Sequence, residues 1–506
     1  MKSKLLFLLL LLGSSYITAQ TVIENPPFET RQGSIHTISK IELSPTETRL
    51  TIRTVFRPQW WTSLDSLTYI YAPESKKQLY PLRIEGRKFG EQVTTPASGI
   101  IEDDCVITYP PLPEGTTRID WMDDNLNSET NTYGILLVKP QETKEQASLR
   151  KIHGNWQQAD AQNGWDIGIY DSLAIMDNRF WKYNLCRKQG KKFKLNLKDE
   201  TGEQCLLEIT QEKDGNLCIG KNGGKANKYI RAGRPQRNYA ATTAATAPQT
   251  AFFRKDTVHI RGFLDGYSPK LGFTTVLIYT DNHITNEGTP AVVTIHPDGR
   301  FESDFVVNYP GVHHLSMGNN WMTFYIRPGE TLMLYINWDH LDYLRQRRLK
   351  PMLTETLYMG PSSSINQELM PCEPLFSKDY HIIQNACKTL TPSEFKTQQE
   401  PMYKLWMHRV DSLEQSKTLQ PEAMQMLKND VMINYGAWLL EFILMRDMDA
   451  RKDTTNTILK IKETPDYYDF LKAMPLNDVR SIGCNNFSTF INRIEFMNPF
   501  LPASRF

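Results

Sequence analysis

Seven cysteines, at positions 105, 186, 205, 218, 372, 387 and 484, carry the most reactive chemistry this chain could offer. A disulfide-exchanging site needs two thiols held a helical turn apart, as in Cys-x-x-Cys, so that one attacks and the other resolves. The closest pair here, Cys205 and Cys218, is thirteen positions apart, which excludes a local dithiol. An odd number of cysteines also excludes a framework fully paired within one chain.

The other reactive residue types do not assemble into a site either. Gly220-Lys221-Asn222-Gly223-Gly224-Lys225 has glycine and lysine but lacks the spacing and the hydroxyl residue of a phosphate loop, and it reads as a hairpin turn. Adjacent His313 and His314 point to opposite faces of a strand and cannot chelate one metal, and the remaining eight histidines lack ligand spacing. Glu102-Asp103-Asp104 and Asp123-Asp124 could supply an acid and a base for glycoside cleavage, but their place at strand ends predicts solvated carboxylates. No Gly-x-Ser-x-Gly elbow is present. The residues thus designate no catalytic, cofactor-binding or metal-binding group, and no cofactor is expected. One binding pattern stands out: Trp60-Trp61 and Trp121 could present aromatic faces for stacking on sugar rings.

The elements that would have to position any site begin after an export signal. Met1-Lys2-Ser3-Lys4 is a basic start, Leu5 to Leu12 an apolar run, and Ser14, Ser15, Thr18 and Ala19 suit cleavage, so 1–19 reads as a signal peptide. The run is shorter than the ~20 residues that span a bilayer. With no second long apolar stretch, the mature chain is expected to have no membrane span and to lie in the periplasm, at the outer membrane or outside the cell. A formal net charge of +1 on 506 residues argues against nucleic acid as a partner.

Period-two alternation then predicts an N-terminal β-sandwich over 22–145. Ile41 and Leu43 pair with Leu50, Ile52 and Thr54 across a turn at Ser44–Glu47, and Cys105, Ile107 and Tyr109 alternate in a later strand. A small β-meander, partial barrel or lipocalin-like domain follows over 146–231, opening on Gly154-Asn155-Trp156 and alternating through Phe193, Leu195 and Leu197 and then Cys205, Leu207 and Ile209. The Ala- and Thr-rich stretch 232–250 reads as a linker. A second β-sandwich is expected over 251–340, with hairpins at Pro297-Asp298-Gly299 and Pro328-Gly329-Glu330. From 341 to 506 the period changes to 3.6. Thr391-Pro392-Ser393-Glu394 is a capping box, Met424, Leu427, Val431, Tyr435, Trp438 and Phe442 share one helical face, and Thr464-Pro465-Asp466 starts a short helix that must end before Pro475. The fold class is thus a mostly β multidomain chain with an α-helical C-terminal segment.

Several motifs follow one another in an order that resembles a known family. They are Ile38–Leu43, Arg57-Pro58-Gln59-Trp60-Trp61, Tyr109-Pro110-Pro111-Leu112-Pro113, Asp120-Trp121, Gly154-Asn155-Trp156, Gly164–Asp171, the Pro328–Glu330 turn, Pro475–Asp478 and Phe490–Arg493. Together the chain resembles the upstream, non-catalytic region of large exported TlpA-like thioredoxin-family proteins of Gram-negative bacteria. The resemblance implies docking or positioning domains for a protein partner, here a periplasmic thiol-disulfide protein. In that family a C-terminal thioredoxin domain carries Cys-x-x-Cys, and Cys372, Cys387 and Cys484 do not map onto it. The expectation is therefore a non-catalytic interaction region, truncated before the thioredoxin fold. The alternative is an exported β protein that binds carbohydrate or another ligand.

Overall fold

The computed structural model describes residues 21–124, 130–138, 143–159, 164–233, 239, 252–283, 287–318, 320–347 and 356–497. The signal segment 1–19 lies outside the described residues, as does nearly all of the 232–250 linker. The chain divides into two compact units, one of 1–140 with 342–349 and the other of 141–341 with 350–506.

The first unit is a sandwich of two five-stranded sheets. In one sheet, strand His36–Leu43 pairs antiparallel with Thr48–Val55 as the alternation predicts, and Thr48–Val55 pairs in turn with Ile100–Tyr109. The turn between the first two is closed by the Ser44 amide on the Glu47 carbonyl at 3.0 Å. The other sheet runs in the order Thr30–Arg31, Thr132–Leu136, Arg118–Asp123, Thr68–Ala72, Lys77–Leu79. Ile41, Leu50, Ile52 and Ile107 from the first sheet meet Ile70, Ile119, Trp121 and Ile135 from the second in one core. Burial of such side chains at roughly 1.5–3 kcal/mol each is what holds two sheets face to face. Residues 342–349 return to this unit, where the Arg347 guanidinium donates to the Ser34 and Val55 carbonyls. The chain changes unit between Leu341 and Asp342, one residue from the 340/341 boundary expected from the change of period. Periodicity reports secondary structure, and here a helix, Trp338–Gln346, runs through the boundary.

In the second unit the expected meander closes completely, as eight antiparallel strands from Gly154–Gln158 to Asn227–Arg231 form an up-and-down barrel. Closure is made by pairing Trp156 with Arg231 and Gln158 with Tyr229. It leaves no unpaired edge inside the barrel. Trp156, Trp181, Phe193, Leu195 and Leu207 fill the interior. Trp156 is fixed at both ends, its indole N–H donating to the Ile152 carbonyl at 2.9 Å while the Arg231 guanidinium lies 4.0 Å from its ring centroid.

The second sandwich packs sheet Arg300–Val307, Asp256–Asp265, Thr331–Asn337, Leu357–Met359 against sheet Glu287–Thr294, Thr275–Asn282, Gly311–Met317, Asn320–Ile326. Both hairpins expected here are corrected. Strand 287–294 pairs with 275–282, whereas 300–307 pairs with 256–265, so the turn at 297–299 carries the chain from one sheet to the other. The turn at 328–330 does the same, since 320–326 pairs with 311–317 and 331–337 pairs in parallel with 256–265. Turn residues set local dihedrals, with Gly299 and Gly329 at φ of 86° and 81°, but they do not choose the strand's partner.

The helical layer follows. Pro392–Ser416 starts at the predicted capping box, the Thr391 hydroxyl and Glu394 carboxylate exchanging bonds with each other's main-chain amides. The long helix Pro421–Lys452 buries the whole predicted stripe from Met424 to Phe442. Pro465–Ala473 forms, as 3-10 turns, before Pro475. Ile365, Met370 and Met426 bury into the sandwich core, so the helices cover part of its outer sheet.

Candidate functional site

The reactive thiols are placed where they cannot react readily. All seven cysteines are free, and five of them are buried. Cys105 lies at 1% exposure in the first sandwich, where burial pushes its thiol up to about 12. Burial likewise raises Cys205 in the barrel wall, lifts Cys387 to about 12 and takes Cys484 well above the ordinary range. Half-buried Cys218 is raised chiefly by the Glu212 carboxylate that accepts its S–H at 3.1 Å. A thiol with a raised pKa holds less thiolate, the species that attacks a disulfide.

The carboxylate clusters divide. Glu102 is exposed and paired with Arg53 at 2.8 Å. Asp104, expected to be solvated, is instead buried with Arg87 at 3.1 Å, their side chains 4% and 2% exposed. A bulge is responsible: four positions along Ile101–Cys105 answer two along Thr54–Ile52, with Asp103 at φ 45°, and the alternation slips. Asp104 is the end of a buried polar chain that the sequence reading missed. Thr54 donates to it at 2.6 Å, His36 Nδ1 lies 3.0 Å from the same hydroxyl, and His36 Nε2 lies 3.2 Å from the Thr62 hydroxyl. His, Thr and Asp in series resemble a nucleophile relay, but burial lowers His36 to about 3 and seals it from substrate. Its consequence is to tie four strands together, those of His36, Thr54, Thr62 and Asp104.

His313 and His314 do face opposite ways. His313 lies inside the second sandwich against Phe305 and Phe324, while His314 sits outside it beside Trp321. At 220–225 there is a hairpin, with Asn222 and Gly223 at φ of 52° and 74° and the Gly224 amide on the Lys221 carbonyl at 2.9 Å. That is the I′ turn whose twist matches paired strands. Among the described residues no group of three or more His, Cys, Asp or Glu is arranged to hold a metal.

Of the three tryptophans in the proposed sugar platform, Trp121 is withdrawn: it is fully buried, its indole N–H donating to the Tyr109 hydroxyl at 3.0 Å. Trp60 and Trp61 are on the surface, 37% and 56% exposed, with the Arg57 guanidinium 4.4 Å from the Trp60 ring centroid.

The concave site with convergent polar groups lies elsewhere, between the outer sheet of the second sandwich and the helical layer. A cavity of about 270 Å³ is lined there by Thr323 from the sheet, Phe376 and Lys378 from the connecting segment, Asp430 and Asn434 from the long helix, and Cys484. Asp430 and Asn434 are one turn apart and so share a face with Met426. The Asp430 carboxylate accepts from the Asn486 main-chain amide at 2.9 Å and from its carboxamide at 3.1 and 3.2 Å. Burial nonetheless raises its pKa, against the opposing pull of Asn486 and Lys378. Asn434, 7% exposed, donates through Nδ2 to the Phe376 carbonyl at 3.1 Å, which sets its orientation, and its Oδ1 has no partner. A second cavity of about 440 Å³ opens at one end of the barrel, edged by Asp177, Lys221, Lys225 and Tyr229.

No protein family's sequence pattern matches this chain, and no curated protein does. A solved tetra-tandem repeat from the extending region of a large adhesion protein aligns with 58% of this chain and 73% of its own, at 10% identity and a TM-score of 0.08. Overlap that low carries no argument about fold or function.

Proposed function

We propose that the chain works by binding and positioning rather than by turnover, as a non-catalytic region similar to the upstream part of an exported TlpA-like thiol-disulfide oxidoreductase. Its partner in this reading is a periplasmic thiol-disulfide protein. The observation that carries the reading is the state of the thiols. Where their pKa is shifted it is shifted upward, by burial or by a neighbouring carboxylate, opposite to what an attacking cysteine requires. The test is reduction of insulin disulfides with dithiothreitol as the electron source. The expected rate equals the uncatalysed background, and a rate above it would end the proposal.

A second reading, carbohydrate binding, is supported by the exposed Trp60 and Trp61. Stacking a sugar on these rings should change tryptophan fluorescence. The expected change is abolished in a Trp60→Ala, Trp61→Ala double variant, and an unchanged spectrum across a panel of polysaccharides rejects this reading while leaving the first one standing.

A further inference from the structure

The barrel carries its charge unevenly. Strands Arg179–Gln189 and Lys192–Lys198 form a hairpin that turns at Gly190-Lys191. From Arg179 to Lys198 the sequence has eight Lys and Arg and no Asp or Glu. In a chain whose formal net charge is only +1, that is segregation rather than composition. Strand Leu173–Met176 pairs with Arg179–Gln189 only as far as Lys182, and beyond it the hairpin runs on as a two-stranded ribbon edge of the barrel.

The register sets like charges against each other. Arg187 stands directly opposite Lys194, and Lys182 opposite Lys198. Cross-strand like charges destabilise a sheet, so two such pairs in one ribbon call for a reason other than folding. Glu208 of the next strand pairs with Lys194 at 2.7 Å, and among the described residues no other carboxylate forms an ion pair with the ribbon from Arg187 to Lys194.

The charge also wraps the ribbon end. Arg187, Lys192 and Lys194 share its outer face, because Phe193, Leu195 and Leu197 point into the barrel. Lys188 lies on the other face, its ammonium 5.3 Å from the Phe193 ring centroid, and Lys191 sits in the turn. The pKa of Lys188 is lowered, first by desolvation and then by the neighbouring Lys151. A partner lying on one face of a sheet needs charge on that face alone. An end that is positive on both faces and at its turn fits a medium that surrounds it, as a layer of anionic headgroups does. The residue types agree. Four of the five are lysines, point charges suited to a diffuse negative potential, whereas guanidinium forks serve fixed bidentate sites. Trp181, Tyr183 and Phe193 pack into the barrel core, which leaves the described ribbon without an exposed ring for a sugar or a base to stack on.

We propose that this ribbon end, Arg187, Lys188, Lys191, Lys192 and Lys194, is a peripheral docking surface for anionic phospholipid headgroups, holding the barrel at a bilayer surface by charge. The proposal uses neither the thiols nor Trp60 and Trp61, and it rests on neither functional reading.

The experiment is co-sedimentation of the chain lacking 1–19 with vesicles of phosphatidylcholine that contain phosphatidylglycerol as the minor lipid, beside vesicles of phosphatidylcholine alone. Binding to the anionic vesicles is expected to be at least about tenfold tighter than to the neutral ones, and to be lost as salt is raised from ~0.01 M to ~1 M. Arg187→Glu should weaken it at least about tenfold. That variant should melt no lower than the native chain, because its carboxylate faces Lys194 and removes a repulsion, so misfolding cannot account for the loss. Reversal of both turn charges, Lys191→Glu with Lys192→Glu, is the second variant and should weaken binding further. Lys404→Glu makes the same change of charge as Arg187→Glu on a helix, at a side chain 77% exposed, and should leave binding unchanged. Absent binding, equal binding to neutral vesicles, undiminished binding in the ribbon variants, or equal weakening by Lys404→Glu would each overturn the proposal. Retention on heparin without vesicle binding would overturn it as well, and would assign the ribbon to a soluble polyanion.

Discussion

Asn486 holds Asp430 from two directions, its main-chain amide at 2.9 Å and its carboxamide at 3.1 Å, yet the carboxyl stays harder to ionise than a free aspartate. Desolvation therefore outweighs two hydrogen bonds. A raised folded-state value means that Asp430 favours the folded chain most below the unfolded aspartate range and loses that contribution as pH rises through the folded value. Above the unfolded aspartate range the group therefore costs stability. Asp430→Asn should accordingly raise the melting temperature at pH 7.5, with the gain shrinking toward pH 4. A melting series that shows a gain independent of pH would contradict this account. Spending stability on a group that touches a cavity is a common feature of binding sites.

His313 presents the opposite sign. Its pKa is lowered to about 3 by burial, with His283 and His314 adding repulsion, and neither ring nitrogen has a hydrogen-bond partner. The unfolded chain takes up a proton near 6.5 and the folded chain does not, so stability is present above 6.5 and declines as pH falls toward 3. The slope is about 1.4 kcal/mol per pH unit, or roughly 2 kcal/mol lost by pH 5. His313→Phe, between Phe305 and Phe324, should be neutral or stabilising at pH 7.5 and clearly stabilising at pH 5. Urea titrations at both pH values measure it.

Arg446 should be among the least replaceable residues of the helical layer. Near the end of the long helix, at 3% exposure, its guanidinium donates to the carbonyls of Cys387, Leu390, Ile458 and Ile461. Arg446→Met would leave these acceptors short of donors, at about 1–3 kcal/mol for each one left unsatisfied. Loss of at least ~3 kcal/mol is expected by denaturant unfolding, with Arg446→Lys no better than half restored, because an ammonium cannot span the same fork.

Thiol titration separates burial from simple spacing. Cys186 and Cys218 are the half-buried cysteines, and the other five are buried. The native chain should react with Ellman's reagent promptly at no more than these two, and all seven should react in guanidinium. Prompt reaction of Cys387 or Cys484 would show that the helical layer opens more easily than its packing implies.

The capping box gives a local control. Thr391→Ala removes the hydroxyl that accepts from the Glu394 amide, and about 1 kcal/mol should be lost. Thr391→Asp, which can accept the same amide, should recover most of it.

Local pattern was enough to read the elements of this protein, for reasons tied to particular residues. Ile41 and Leu43 against Leu50 and Ile52, the I′ turn at Asn222-Gly223 and the capping box at Thr391 all express constraints that act within a few residues. The odd, scattered cysteines likewise excluded a local dithiol before any fold was known. What needed the tertiary structure was everything set by partners distant in the chain. The turns at 297–299 and 328–330 have hairpin chemistry, yet each strand they release finds its neighbour in the opposite sheet. The barrel closes because Trp156 meets Arg231, which no alternation reveals. Asp104 is buried because a bulge breaks the period that would have placed it outside. The cavity shows the limit most clearly. Helical spacing marks Asp430 and Asn434 as a polar stripe beside an apolar one, and polar stripes normally face water. Here a sheet and a returning segment cover the stripe, and only that covering places Asp430 and Asn434 on a cavity wall.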